Sequence, residues 1–204
     1  MAVNHKKENK KRGRPSGAKS QLTSEMIMQC AKVLLQEEGK IPSIRKIAGT
    51  LEVDAMAIYH YYANKQALLA AVTVSLIEEI YKPRNVSLDH ADDRGSEKHD
   101  SNWQLELKLL CKSYIQLLQK YPGLLETLLT MAEEGPAEIF AQRFEIALAP
   151  LNLDDDIQKD ALDLLTDYLH GFALSMDCDK EGLLTVGMID KPLRLYMRGL
   201  TASC

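Results

Sequence analysis

Between Ser43 and Lys65 the chain has few ways to fold. Pro42 biases Ile41 towards extended backbone. Ser43 follows, and its hydroxyl can accept from an unpaired first-turn amide. Ile44, Ile47, Ala48 and Leu51 then recur at helical spacing and form one apolar face. Val53 continues that face through a turn, and Asp54 can cap a second helix running through Ile58 and Tyr61. The pattern predicts two short helices packed across a tight turn, with small Ala48 between them.

Such a pair is a helix-turn-helix, whose second helix is shaped to lie in a DNA major groove. Ile58-Tyr59-His60-Tyr61-Tyr62-Ala63-Asn64-Lys65-Gln66-Ala67-Leu68-Leu69 ends the unit with an aromatic cluster, an Asn-Lys pair and paired leucines. With Ile44-Arg45-Lys46-Ile47-Ala48 upstream, it resembles the DNA-binding domain of TetR-type transcriptional repressors. The resemblance covers about 60 contiguous residues and gives way to architecture beyond Lys82. It implies a repressor that binds operator DNA as a homodimer and leaves it when a small molecule binds.

The resemblance also implies roles. Arg45 would reach guanine or phosphate, with Lys46 the weaker candidate; arginine offers guanine a two-pronged donor. Ala55, Met56 and His60 would meet bases, the first two through apolar contacts such as a thymine methyl. Tyr59 and Tyr61 would donate to phosphates, while Ser43 and Lys65 complete the DNA-facing set. Phosphate contacts set register and base edges give sequence choice. Tyr62 is expected to pack. Two residues depart from the family pattern. Glu52 replaces a glycine at a turn that often needs positive φ, which costs other residues free energy. Ala57 replaces Ser or Thr and removes a hydrogen bond.

The charge is divided. Residues 1–19 hold seven Lys and Arg against Glu8 alone, a net of +6, which leaves −10 on the rest of a chain of net charge −4. A basic arm on an acidic body is the asymmetry expected where one end meets phosphates. Within the arm, Arg12-Gly13-Arg14-Pro15 is similar to an AT-hook core, so Arg12 and Arg14 are candidates for an A·T minor groove. Nonspecific phosphate contact is the alternative.

The remaining sequence predicts an all-α chain: a disordered arm over 1–21, a three-helix DNA-binding domain over 22–64, a connecting helix over 65–82, a polar linker over 83–102, and a helical ligand-binding and dimerisation domain over 103–204. Trp103, Leu107, Leu110, Tyr114, Leu117 and Tyr121 form one helix stripe. Pro122 suits the first turn of a new helix, and a later helix over about Asp154–Met176, capped by Asp154, is apolar on nearly two faces and must bury both. With a last helix over about Ile189–Leu200, it maps onto the four-helix dimer interface that the resemblance implies. Trp103, Tyr114, Leu118, Met131, Phe140 and Phe144 would line an apolar effector pocket, and His170 is a further pocket or interface candidate.

Cys30, Cys111, Cys178 and Cys204 are far apart and form no metal-ligand spacing. Reduced thiols are the default, with redox sensing at Cys111 or Cys178 a minor alternative. The N-terminus lacks the apolar stretch of a signal peptide. The longest nearly apolar run, Ala67 to Ile77, is too short to span a bilayer, so a soluble, cytoplasmic protein without a cofactor is expected. Two competing readings remain. Asp160, Asp163, Asp167 and His170 share a helix face and suggest a metal-dependent hydrolase, although a solvated helix face has the same pattern. An architectural DNA binder without effector is the other; the long C-terminal half argues against it.

Overall fold

The computed structural model describes residues 22–84, 102–131 and 135–202. They form nine α-helices and no strand. These are α1 (Ser24–Glu38), α2 (Ile44–Thr50), α3 (Ala55–Tyr59), α4 (Lys65–Ile77), α5 (Asn102–Lys120), α6 (Leu124–Thr130), α7 (Gly135–Leu148), α8 (Asp155–Cys178) and α9 (Asp190–Thr201). The sequence-predicted arm, with Arg12 and Arg14, lies outside the described residues, as do 85–101 of the expected linker and Cys204.

Local chemistry sets most helix starts. Thr23, Ser43, Asp54 and Asn64 each accept an amide of the following first turn, from Met26, Lys46, Met56 and Ala67. Gly39 ends α1 in the left-handed region at φ 63°, its amide bonded to the Leu35 carbonyl. Glu52 holds φ 53° in the turn between α2 and α3, the conformation expected there.

Helices α1 to α3 close over a core of Ile27, Leu34, Leu35, Ile44, Ile47, Ala48 and Ile58, with Leu68 and Val72 added from α4. In the second unit α5 is central and packs on α7, α8 and α9. Its predicted stripe is wholly buried: Trp103, Leu107, Leu110, Tyr114, Leu117 and Tyr121. Helix α4 belongs to both units, since it packs on α1 and on α7.

Several boundaries differ from the sequence reading. Helix α3 ends at Tyr59 and continues only as a turn, in which the Tyr61 and Tyr62 amides both reach the Ile58 carbonyl. Helix α4 stops at Ile77 rather than near Tyr81 and tightens into a turn to Ile80, because a side chain from α7 takes its terminal carbonyls (below). Pro122 lies before α6, which Gly123 enters at φ 80°. Asp154 stands at the start of α8 but makes no side-chain cap bond. At the near end of the expected linker, Pro83 is buried and the Arg84 amide is bonded to Glu106.

Candidate nucleic-acid interface and buried polar cluster

Ile58, the buried anchor of α3, fixes which side of that helix faces outward. Met56, with Tyr59 and His60 three and four residues after it, is 64% exposed, and the other two are exposed as well. Ala55, by contrast, is half-buried against the core. Arg45, Ser43 and Lys65 are exposed on the flanking starts of α2 and α4. The Ser43 hydroxyl accepts the Lys46 amide in the α2 cap, which leaves its O–H free to donate, and Lys46 forms a 2.8 Å ion pair with Glu38. Tyr61 is exposed, but its hydroxyl donates to the Leu22 carbonyl. A phosphate contact by Tyr61 therefore requires that bond to be exchanged. Tyr62 packs as expected, with its hydroxyl 2.7 Å from Ser24 Oγ.

Among the expected effector residues, three from separate helices come together. The Tyr114 hydroxyl lies 2.8 Å from His170 Nε2, and its ring centroid is 4.8 Å from that of Phe140. Burial lowers the His170 pKa, with Asp167 opposing through its charge, and burial raises that of Tyr114. The result is one polar pair inside an apolar wall. Leu118 and Phe144 are buried one turn along from Tyr114 and Phe140. Met131 is half-buried just past α6. Trp103 does not join the cluster, because 11 residues of α5 place it about 16 Å away along the axis.

The sequence reading missed the join between the two units. Arg143 of α7 is only 7% exposed. Its Nη1 donates to the carbonyls of Ile77 and Ile80 at 3.0 and 2.8 Å, and its Nη2 to that of Glu78 at 3.1 Å. Burial lowers the Arg143 pKa and the nearby Glu78 charge opposes. Ser113 of α5 accepts the Tyr81 amide at 2.8 Å. Glu106, also buried, accepts the Tyr81 hydroxyl at 2.8 Å and the Arg84 amide at 3.1 Å. Nothing local marks these residues; a lone arginine amid the aromatics of α7 was the available signal.

On α8, Ala161, Leu165, Leu169 and Ala173 are buried, whereas Leu164 is 64% exposed. Asp160, Asp163 and Asp167 are exposed near it. On α9, Leu193, Met197 and Leu200 are buried, and the opposite face shows Lys191, Arg194, Arg198 and a 73% exposed Leu195. The metal reading of α8 fails: His170 turns to Tyr114, Asp163 pairs with Lys159 at 2.8 Å, and no three ligating side chains converge among the described residues. Cys111 is buried with its thiol pKa raised by desolvation, and Cys178 is exposed. No helix among the described residues is long and apolar enough to cross a membrane.

No family sequence model and no curated protein sequence matches the chain. Solved structures do. Apo ActR from Streptomyces coelicolor superposes with a TM-score of 0.71 at 17% identity, covering 89% of this chain and 96% of that one. ActR, a TetR family protein, in complex with actinorhodin gives 0.68 at 16% identity, over 90% and 98%. BioQ with its double-stranded DNA operator gives 0.65 at 21% identity, over 89% and 99%. Likeness over nearly the whole of both chains establishes the architecture: this chain has the all-α fold of TetR family proteins.

Proposed function

We propose that this chain is a homodimeric, sequence-specific DNA-binding transcriptional regulator, a repressor released from its operator by an apolar or aromatic small molecule. The observation that carries the reading is the outward face of α3. Met56, Tyr59 and His60 stand exposed on a helix held from behind by Ile58, between Arg45 and Lys65. Met56 and Tyr59 leave apolar and aromatic surface open beside His60 on a short helix, and a major groove fits a helix-turn-helix. The structure of BioQ with its operator shows this architecture accommodating duplex DNA.

The effector site in this reading is the Tyr114–Phe140–His170 cluster, where one hydroxyl–imidazole pair would orient an otherwise apolar ligand. The complex of ActR with actinorhodin supports an aromatic class of ligand. Release requires that the ligand bind the DNA-competent and DNA-incompetent states unequally. Dimerisation through α8 and α9 would place two reading helices on half-sites roughly 34 Å apart.

The test is binding to DNA from upstream of the chain's own gene and to a random-sequence pool, at two salt concentrations. Wild type is compared with a Tyr59→Ala, Lys65→Ala double variant. Salt-sensitive, sequence-selective binding that falls at least about tenfold in the variant is expected, given the loss of two phosphate contacts. A folded dimer that selects no sequence from either source ends the proposal.

A further inference from the structure

Arg143 is placed at a cost. A guanidinium taken from water is destabilising unless compensated, and an apolar residue would fill the space more cheaply. No carboxylate among the described residues is hydrogen-bonded to it. Its compensation comes instead from the last carbonyl of α4, where the helix dipole is negative, and from two carbonyls of the turn that follows. The following residues are held in the same manner, by Ser113 on the Tyr81 amide and by Glu106 on Tyr81 and Arg84.

A second point of attachment is a backbone contact. A Cβ on Gly123, at the entry to α6, would lie 2.5 Å from the Gly39 carbonyl oxygen at the end of α1. The DNA-reading unit therefore meets the second unit at a polar clasp on α4 and at a close backbone approach on α1. Phe140, which lies against Tyr114, is less than one turn before Arg143 on α7. A shift of α7 at Phe140 would also move the clasp, which the same helix holds.

We propose that Arg143 is a positioning residue: its grip on the carbonyls at the end of α4 and in the turn after it fixes the orientation of the DNA-reading unit and transfers displacement of α7 to it. The DNA part of this inference rests on the regulator reading above; the clasp itself does not. Two readouts separate them. The first uses donor and acceptor dyes at Gln66 and Lys159 of one protomer, followed by single-molecule energy transfer in wild type, Arg143→Gln and Arg143→Lys. Lysine keeps the charge but cannot span three acceptors, and serves if the glutamine variant does not fold. A single narrow distribution in wild type that broadens or splits in the variants is the expected result.

The second readout is binding to the selected operator with its half-site separation changed by single base pairs, and to an isolated half-site. Both variants should lose about tenfold in discrimination between spacings, the scale of one charge-assisted hydrogen bond. Half-site affinity should stay within about twofold, since the α3 face is untouched. An unchanged dye distribution, or equal losses on half-site and full operator, overturns the proposal. If wild type selects no DNA while the dye distribution still responds to Arg143, the regulator reading falls and the clasp stands.

Discussion

Glu52 is the residue whose conformation and chemistry disagree most. At φ 53° it occupies a region that costs an L-residue about 1 kcal/mol, and it puts a carboxylate in the turn of the proposed DNA-binding helix pair. Glu52→Gly should relieve the strain and raise the melting temperature by about 2–4 °C for a chain of this length. It should also tighten binding to duplex DNA at low salt. A melting temperature equal to or below wild type would contradict the first. His170 gives a second prediction at this scale. Its folded pKa is lowered below the unfolded value of about 6.5 by burial against Tyr114. The unfolded chain therefore binds more protons there as the pH falls. The His170 contribution is neutral above the unfolded pKa and becomes destabilising as the pH drops from there through the folded pKa. His170→Gln should flatten that part of the pH–stability curve, measured as chemical-denaturation midpoints for both proteins from pH 7.5 to 5. Parallel curves would show that the imidazole is not the titrating group.

At the scale of elements, sequence and structure agree mainly where the cause is local, with Asp154 an exception. Ser43, Asp54 and Asn64 cap helices because a side chain needs only the next turn, and the stripe from Trp103 to Tyr121 is buried because its spacing matches one helix. The end of α4 was illegible because the group that ends it, Arg143, is 66 residues from Ile77 in the chain. The effector candidates were legible one by one but not as neighbours, since α5, α7 and α8 must first be packed to join Tyr114, Phe140 and His170 and to leave Trp103 apart. Gly123 was equally silent. Its φ of 80° and its approach to Gly39 leave no room for a side chain. Gly123→Ala should destabilise the fold by about 2 kcal/mol or more, combining a left-handed penalty with a backbone collision. Denaturant unfolding measures this. A loss below about 0.5 kcal/mol would mean that the α1–α6 approach is soft and that the first three helices are held mainly by the clasp at the end of α4.

For the whole molecule, Leu164 of α8 and Leu195 of α9, two of the exposed leucines, and the charges around them specify how copies would meet. Leu164 sits beside Asp160, Asp163 and Asp167 on α8, and Leu195 beside Lys191, Arg194 and Arg198 on α9. A two-fold axis that sets α8 of one copy against α9 of its partner buries both leucines and opposes unlike charges, and does so twice. The leucines supply most of the free energy, because each exposed ion pair is worth only about 0.2–1 kcal/mol. Leu164→Asp should therefore weaken the dimer at least about 100-fold, since the change acts at both symmetric positions. Asp163→Lys with Asp167→Lys should weaken it about tenfold at low salt, and Arg194→Glu with Arg198→Glu similarly. Combining the two reversals should restore most of the lost affinity, because the charge pattern is then inverted but still complementary. Sedimentation velocity over a concentration series reads all four proteins directly. If the combined variant dissociates more than either parent, α8 faces α8 across the axis rather than α9. The two reading helices would then stand at a different separation, and the half-site spacing of the operator would have to differ from one helical turn.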